Sequence, residues 1–267
     1  MKIPISIGMP RSASRLTWQI VKSLVPPEPP PDWHPDLVSA WCEGEWEYTW
    51  PLRAHDYLPG PGVVYTFRHP VEAYLSLRSR YMNDVGKFVP GQSGTKTISG
   101  EEIMVVDPLN KIVLTKDAAA YQAMVAIGTQ WNVWQRLKED AKNGRDVLFL
   151  KYEDYYDDRR QRILDISKFV EVIPSDSHLE DLWNYTSLEN NAKRSQDPRF
   201  FENEEVTFSH GFMGQSGMQK EHINPETMGR PGAYFKNHTK FVDSVRLGMT
   251  PALEALKEMT QDMGYEL

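Results

Sequence analysis

Two stretches of this chain combine residue types and spacings suited to holding phosphate oxygens. The first is Pro10-Arg11-Ser12-Ala13-Ser14-Arg15, set between Ile3-Pro4-Ile5-Ser6-Ile7-Gly8 and Leu16-Thr17-Trp18-Gln19-Ile20-Val21. The flanks read as a short buried strand and a helix. A strand that turns through small and hydroxyl residues into a helix presents the first helical amides outward, where the helix dipole favours negative charge. Arg11 and Arg15 add fixed positive charge. The Walker pattern G-x-x-x-x-G-K-[ST] is absent, so the turn is also readable as a surface βα loop with two arginines. The second stretch is Phe67-Arg68-His69-Pro70-Val71-Glu72-Ala73-Tyr74-Leu75-Ser76. Arg68 falls at the carboxyl end of a strand, the edge where open α/β sheets bind ligands. Ser76 falls two turns into the next helix, so the pair offers a phosphate a bidentate cation and a hydroxyl.

These residues need elements to position them. Gly62–Phe67 reads as a second buried strand, and Pro70 opens a helix continued by Val71–Tyr81. A strand over Tyr48–Ala54 runs into His55-Asp56, and Val147–Leu150 is a third buried strand running into Lys151-Tyr152-Glu153-Asp154-Tyr155. Ala118–Asn143 has helical periodicity and ends at Gly144 as a C-cap. Arg160–Val170 and Thr250–Met263 read as amphipathic helices. Val25 and the prolines up to Pro31 stop the first helix. Residues 86–116 read as a long loop or small insertion, and 196–238 as an irregular stretch. Short apolar strands alternating with helices predict an α/β fold with a mainly parallel sheet covered on both faces.

Composition narrows the function classes. The chain has 267 residues, enough for one large α/β domain. A net charge of −7 argues against nucleic-acid binding, so an anionic ligand must be held by a local cationic cluster. No apolar run approaches the ~20 residues of a membrane span, and the first residues lack the order of a signal peptide. The single cysteine, Cys42, excludes an internal disulfide and fits a reducing compartment. The chain is therefore expected to be cytoplasmic, with no membrane partner. No metal-ligand spacing is present, and no metal is expected.

Four motifs, in order, resemble those of the soluble sulfotransferases that use 3′-phosphoadenosine 5′-phosphosulfate (PAPS). Pro10-Arg11-Ser12-Ala13-Ser14 is similar to their 5′-phosphosulfate loop P-K-S-G-T. Arg68-x-Pro70-x-Glu72-x-x-x-Ser76 is similar to their 3′-phosphate motif R-x-P-x-[DE]-x-x-x-S. Lys151-Tyr152-Glu153-Asp154-Tyr155 is similar to R-Y-E-D-L. Arg230/Gly232 followed by Lys236-Asn237-His238-Thr239 is similar to R-K-G…W-K-N-H-F-T. Gly128-Thr129-Gln130-Trp131-Asn132-Val133-Trp134 and Thr186-Ser187-Leu188-Glu189 are weaker echoes of the family's G-S-W-x-x-H…W helix and T-S-F-E segment.

The resemblance implies a P-loop-like three-layer fold. It implies one domain over 1–267, with substrate-covering insertions at 26–50, 86–116 and 196–238. The cofactor would be PAPS, leaving 3′-phosphoadenosine 5′-phosphate (PAP). Arg11 would face the phosphosulfate. The amides of Ser12, Ala13, Ser14, Arg15 and Leu16, with the Ser12 and Ser14 hydroxyls, would hold the 5′-phosphate. Arg68, Ser76 and Arg230, beside Gly232, would hold the 3′-phosphate. Tyr152 and Thr186 or Ser187 would lie along the adenosine. His55, in an R-x-H similar to the family's K-x-H, would be the general base; His34, His69, His210, His222 and His238 compete for that role. Histidine suits the task because it titrates near neutral pH.

Three departures bear on these roles. Arg11 replaces lysine and can stabilise charge but cannot give up a proton. Ala13 replaces glycine and narrows the φ range of the turn. The C-terminal loop is shorter than the family's, which keeps Lys220 and Lys236 open as alternatives to Arg230. The acceptor is expected to be a small molecule, of the kind sulfated in secondary metabolism, and the protein a monomer or homodimer. Trp33, Trp41, Trp46 and Trp50 lie among Asp32, Asp36, Glu43, Glu45 and Glu47. They read either as core or lid packing or, with His55 beside Trp33, Trp41 and Trp46, as the wall of a site for a cationic amine or guanidinium acceptor. The rival readings are a small-molecule kinase on a related phosphate-loop fold and a non-catalytic nucleotide-binding protein.

Overall fold

The computed structural model describes residues 4–25, 53–60, 62–82, 88–90, 97–98, 101–102, 105–107, 111–113, 116–187, 189–190 and 229–267. They divide into two compact units, Met1–Arg68 with Asn132–Pro231, and His69–Trp131 with Gly232–Leu267. Trp33, Trp41, Trp46 and Trp50 fall outside the described residues.

The first unit is built on a four-stranded parallel sheet. Its strands are β1 (Ile5–Gly8), β2 (Arg53–Ala54), β3 (Gly62–Phe67) and β9 (Asp146–Lys151), in the order β2-β1-β3-β9. Every residue of β1 and β3 is buried, as expected for strands covered on both faces. β9 departs from its expected full burial: Leu150 is buried while Val147, Leu148 and Phe149 are half-buried. The reason is position, because β9 is an edge strand paired only with β3 among the described residues. Gly8 pairs with Thr66, and Phe67 with Lys151, so the strands' carboxyl ends line up on one edge.

Helices α1 (Ser14–Leu24), α4 (Arg159–Phe169) and α5 (Asp176–Tyr185) supply the core. Leu16, Ile20, Val21 and Leu24 of α1 meet Val64, Leu150, Ile163, Ile166, Leu179 and Leu182. Asp158 and Ser175 cap α4 and α5 through the amides of Gln161 and His178. The long helix α3 (Lys116–Lys142) ends as its sequence predicts. Gly144 adopts φ 92°, and the amides of Gly144 and Arg145 return to the carbonyls of Ala141 and Asp140, the paired bonds of a Schellman motif.

The second unit holds α2 (Pro70–Met82), α6 (Ala233–Asn237), α7 (Thr239–Arg246) and α8 (Pro251–Asp262). Thr250 caps α8 with proline at its first position. The segment read as a long loop or small insertion at 86–116 contains, among its described residues, five strands, β4 (Phe88–Pro90), β5 (Thr97–Ile98), β6 (Glu101–Glu102), β7 (Val105–Asp107) and β8 (Lys111–Val113). They form antiparallel ladders β4-β8-β7 and β5-β6. Strands of two or three residues are too short for alternation to register in sequence. The irregular stretch 196–238 likewise gains a helical turn at Ala233–Asn237.

Candidate functional site

The turn between β1 and α1 is held in a conformation that non-glycine residues rarely adopt. Arg11 and Ala13 both have positive φ, 68° and 62°. Left-handed residues within a turn aim neighbouring amides toward a common point, the geometry of an anion nest. The fold over-determines this shape. Met9 N–H donates to the Thr66 carbonyl at 2.9 Å, and Ser12 N–H to the Met9 carbonyl at 3.2 Å. The Ser12 hydroxyl turns inward, 2.7 Å from Met9 O and 3.1 Å from both oxygens of Thr66. Gly8 makes room for the turn, since a Cβ there would collide with Ser14 Cβ and Thr66 Oγ1. The first intrahelical bond runs from Thr17 N–H to Ala13 O, so the amides of Ser14, Arg15 and Leu16 precede it. The N-cap residue, Ala13, makes no side-chain cap, and no acidic residue sits in the first turn of α1. The positive end of the helix dipole thus meets no carboxylate from its own first turn. The Leu16 side chain belongs to the core.

His55 leaves β2 beside this turn. Its Nδ1 lies 2.6 Å from the Gly8 carbonyl. A carbonyl only accepts, so Nδ1 carries the proton and the neutral ring keeps its basic lone pair on Nε2. The loop bearing His55 is braced two and three residues further on. Tyr57 donates to Asp140 Oδ2 at 2.8 Å, Arg145 pairs with the same carboxylate at 2.6 Å, and Arg145 Nη2 donates to Leu58 O at 2.8 Å. The Arg136 guanidinium lies 3.8 Å from the Tyr57 ring centre. Burial, then the Asp140 bond, raise the Tyr57 phenol above its ordinary range, so it remains a donor.

Arg68 leaves β3 and is buried, with 2 % exposure. Its Nη1 lies 3.5 Å from the Arg11 carbonyl, a long contact, and its guanidinium sits 4.8 Å from the centre of the Tyr152 ring. Tyr152 follows β9, with its amide on Phe67 O at 2.8 Å. Its hydroxyl donates to Gly229 O at 2.8 Å. Gly229 has φ 71°, and a Cβ there would lie 2.6 Å from Tyr152 Oη. One tyrosine therefore carries Arg68 on its ring and ties the chain next to Arg230 through its hydroxyl. Burial raises the Tyr152 phenol, opposed by Arg68 and Arg162.

The first unit thus gathers, on the carboxyl edge of its sheet, an anion-type turn, an oriented histidine and a buried arginine. Residues 63–243, more than half of the chain, match the sulfotransferase domain family. The chain belongs to that family. The crystal structure of mouse sulfotransferase SULT7A1 complexed with PAP is similar in fold, with a TM-score of 0.54 at 16 % identity over 97 % of this chain and 88 % of that one. No curated protein matches the chain by sequence.

The other histidines of this sulfotransferase are placed differently. His69 is buried, with Nδ1 accepting from Val71 N–H at 3.3 Å and Nε2 donating to Glu266 O at 3.0 Å, so both ring nitrogens are engaged. His238 is exposed at the start of α7 and stacks on Tyr234. His178 contacts Ser23 Oγ at 3.1 Å. His34, His210 and His222 lie outside the described residues, as does Lys220. Lys236 is exposed on α6.

Thr186 closes α5, donating to Leu182 O at 2.7 Å, and Ser187 accepts from Asn190 N–H at 3.1 Å. Arg230 is exposed in the first unit. Ser76 is buried on α2, and Gly232, φ 75°, precedes α6, both in the second unit. There Glu72, the acid of the R-x-P-x-E-x-x-x-S motif, accepts the amides of Tyr234 and Phe235 at 3.1 Å each. It caps α6, a role that sequence reading missed. Gly8, Thr66 and the Tyr57–Asp140–Arg145 brace were missed too; only Gly8, a glycine ending an apolar strand, carried a signal. Among the described residues no cluster of three or more His, Cys, Asp or Glu could hold a metal, and no helix is long and apolar enough to cross a membrane.

Proposed function

We propose that the chain moves a sulfuryl group from PAPS to a hydroxyl or amine of a small-molecule acceptor, with His55 as general base. The observation that supports this reading most is the contact of His55 Nδ1 with the Gly8 carbonyl at 2.6 Å, which makes Nε2 the basic nitrogen of the neutral ring. The turn suits a polyanionic nucleotide: two residues at positive φ, a helix whose first turn carries no acidic residue, and buried Arg68 against the Arg11 carbonyl. The PAP bound to the similar mouse sulfotransferase supports the choice of nucleotide.

PAPS supplies the sulfuryl group, joined to its 5′-phosphate through a bridging oxygen. His55 Nε2 takes the acceptor's proton. Arg11 and the amides of Ala13, Ser14, Arg15 and Leu16 balance the negative charge on the 5′-phosphate, and aimed donors of this kind contribute a few kcal/mol each. Ser12 serves chiefly by locking the turn. Arg68 and Arg230 take the 3′-phosphate, and the sequence motif adds Ser76 to that group. Tyr152 stands behind them, with Thr186 and Ser187 toward the adenosine. The chain is read as one sulfotransferase domain on a P-loop-like three-layer fold, with 26–50, 86–116 and 196–238 shaping the acceptor side. Trp33, Trp41 and Trp46 make a cationic acceptor the favoured class. The lone Cys42 suits a cytoplasmic setting.

Calorimetry with PAP and with Mg-ATP tests the nucleotide: PAP is expected to bind far more tightly, and a preference for ATP would overturn the reading. Transfer from labelled PAPS to a panel of phenols, alcohols and cationic amines tests the acceptor. Activity confined to neutral phenols would remove the cationic class.

A further inference from the structure

The first turn of α4 carries Arg159-Arg160-Gln161-Arg162, which reads in sequence as a solvated charge run. Arg162 does not behave as one. It is 1 % exposed, among the largest fully buried side chains. Its Nε meets no hydrogen-bond acceptor, and no carboxylate pairs with it among the described residues. Three residues earlier on the same helix, Nη1 of Arg159 is also buried with no acceptor among them.

The obvious counter-charge is already engaged. Asp165, one turn on, receives the Tyr155 hydroxyl on Oδ2 at 2.6 Å and the Gln161 amide on Oδ1 at 2.8 Å. What Arg162 has is a ring, with its guanidinium 5.2 Å from the centre of Tyr155. Burial lowers Arg162 to about 10 and Arg159 adds repulsion, while Tyr152, Tyr155 and the Glu153 carboxylate oppose the shift without an ion pair, so it stays cationic at neutral pH. A buried, unpaired cation beside a second one opposes folding, unless an anion arrives to complete it.

We infer that Arg159 and Arg162 form a buried oxyanion site for a phosphoryl group. The group is either the 3′-phosphate of the nucleotide or a separate inorganic anion. The first source rests on the proposed function; the second does not. Proximity favours the first, because Arg162 and Arg68 both act on Tyr152, which holds Arg68 against its ring. Planar guanidinium forks suit phosphoryl oxygens, and each charge-assisted bond strengthens away from water.

The test compares the full chain with Arg162→Met, matched in length and apolar. Thermal melts are run in chloride buffer, then with PAP, adenosine 5′-phosphate, or inorganic phosphate; calorimetry gives the affinities. In chloride alone the variant is expected to melt at or above the wild-type temperature, since it removes an unpaired buried charge. With PAP the order reverses, and the variant binds PAP ~10-fold or more weakly while binding adenosine 5′-phosphate like the wild type. If a separate anion is the ligand, PAP affinity is kept and the stabilisation by inorganic phosphate disappears. A variant that melts lower in chloride and responds to every ligand as the wild type does would overturn the inference, making Arg162 a structural residue. Should Arg162→Met not fold, that outcome also counts against it, and Arg159→Met, with the same ligands, decides whether any oxyanion response remains to be explained. Failure of the nucleotide reading looks different: wild-type protein that prefers adenosine 5′-phosphate to PAP, whatever the variant does.

Discussion

Replacing Tyr152 by phenylalanine separates two ways this residue could serve the nucleotide. The ring stays, so the Arg68 guanidinium keeps its seat 4.8 Å from the ring centre. Only the hydroxyl bond to Gly229 O, 2.8 Å long, is lost. A neutral hydrogen bond is worth ~0.5–1.5 kcal/mol net. Gly229 is half-buried, so water can reach its carbonyl, and the larger penalty for a dry orphan does not apply. The expected cost is ~1 kcal/mol, about fivefold in PAP affinity, carried by a looser Arg230. Tyr152→Leu also removes the cation–π seat, worth a further ~1–2 kcal/mol when desolvated, and should cost ~30-fold or more. The assay is PAP calorimetry on wild type, Tyr152→Phe, Arg230→Ala and the double variant. Because Tyr152 reaches the nucleotide through the 229–230 segment, its phenylalanine variant should cost almost nothing once Arg230 is gone. Additivity within ~0.3–0.5 kcal/mol would refute this, and would mean that the hydroxyl touches the nucleotide itself.

Three further outcomes are expected. His55→Asn keeps an N–H in reach of Gly8 O but has no base, so turnover should fall ~10²–10⁴-fold while PAP affinity stays within about twofold; coupled loss of both would deny His55 the role of base. Gly8→Ala pushes a Cβ into Ser14 and Thr66; denaturant unfolding should show a loss of ~1–3 kcal/mol, and unchanged stability would mean that the turn is not held by this contact. Stability should fall as pH rises above about 10. Tyr57, Tyr65, Tyr74, Tyr152 and Tyr155 are all raised from an ordinary 10.0, chiefly by burial. The folded chain therefore keeps phenolic protons that the unfolded chain releases, and their contribution is full below pH 10 and lost above it. Arg162, lowered to about 10, acts the other way, but it is one group against five. Urea midpoints that stay flat from pH 9 to 11 would contradict this.

The sheet and its edge were legible because β1 and β3 are short apolar runs ending in a turn or a helix start, and burial on both faces leaves no polar alternation to mislead. β9 was legible as a strand but not as an edge, since half-burial depends on which neighbour is missing. His55 could be singled out by its R-x-H context, but not its tautomer, which depends on a carbonyl 47 positions away. The same holds for the Tyr57–Asp140 brace, 83 positions apart, and for Tyr152 with Gly229, 77 apart. Hydrophobic periodicity carries no record of such pairings. Ala13 is the opposite case: its departure from glycine marked the turn as conformationally demanding, and the backbone does take φ 62° there.

A net charge of −7 poses a problem for any chain that must hold a polyanion. More surface lysines would address it poorly, because exposed charges are screened within ~8–10 Å at physiological salt. Burying a few guanidinium groups is more effective, since the same charge acts far more strongly away from water. Arg68 and Arg162, at 2 % and 1 % exposure, follow that logic. The cost of burying them is shared with tyrosine rings, Tyr152 under Arg68 and Tyr155 under Arg162, which soften desolvation without neutralising the charge. A guanidinium seated on a phenol ring keeps its charge toward phosphoryl oxygens, which is why removing a ring and removing a charge should have opposite effects on the stability of the ligand-free chain.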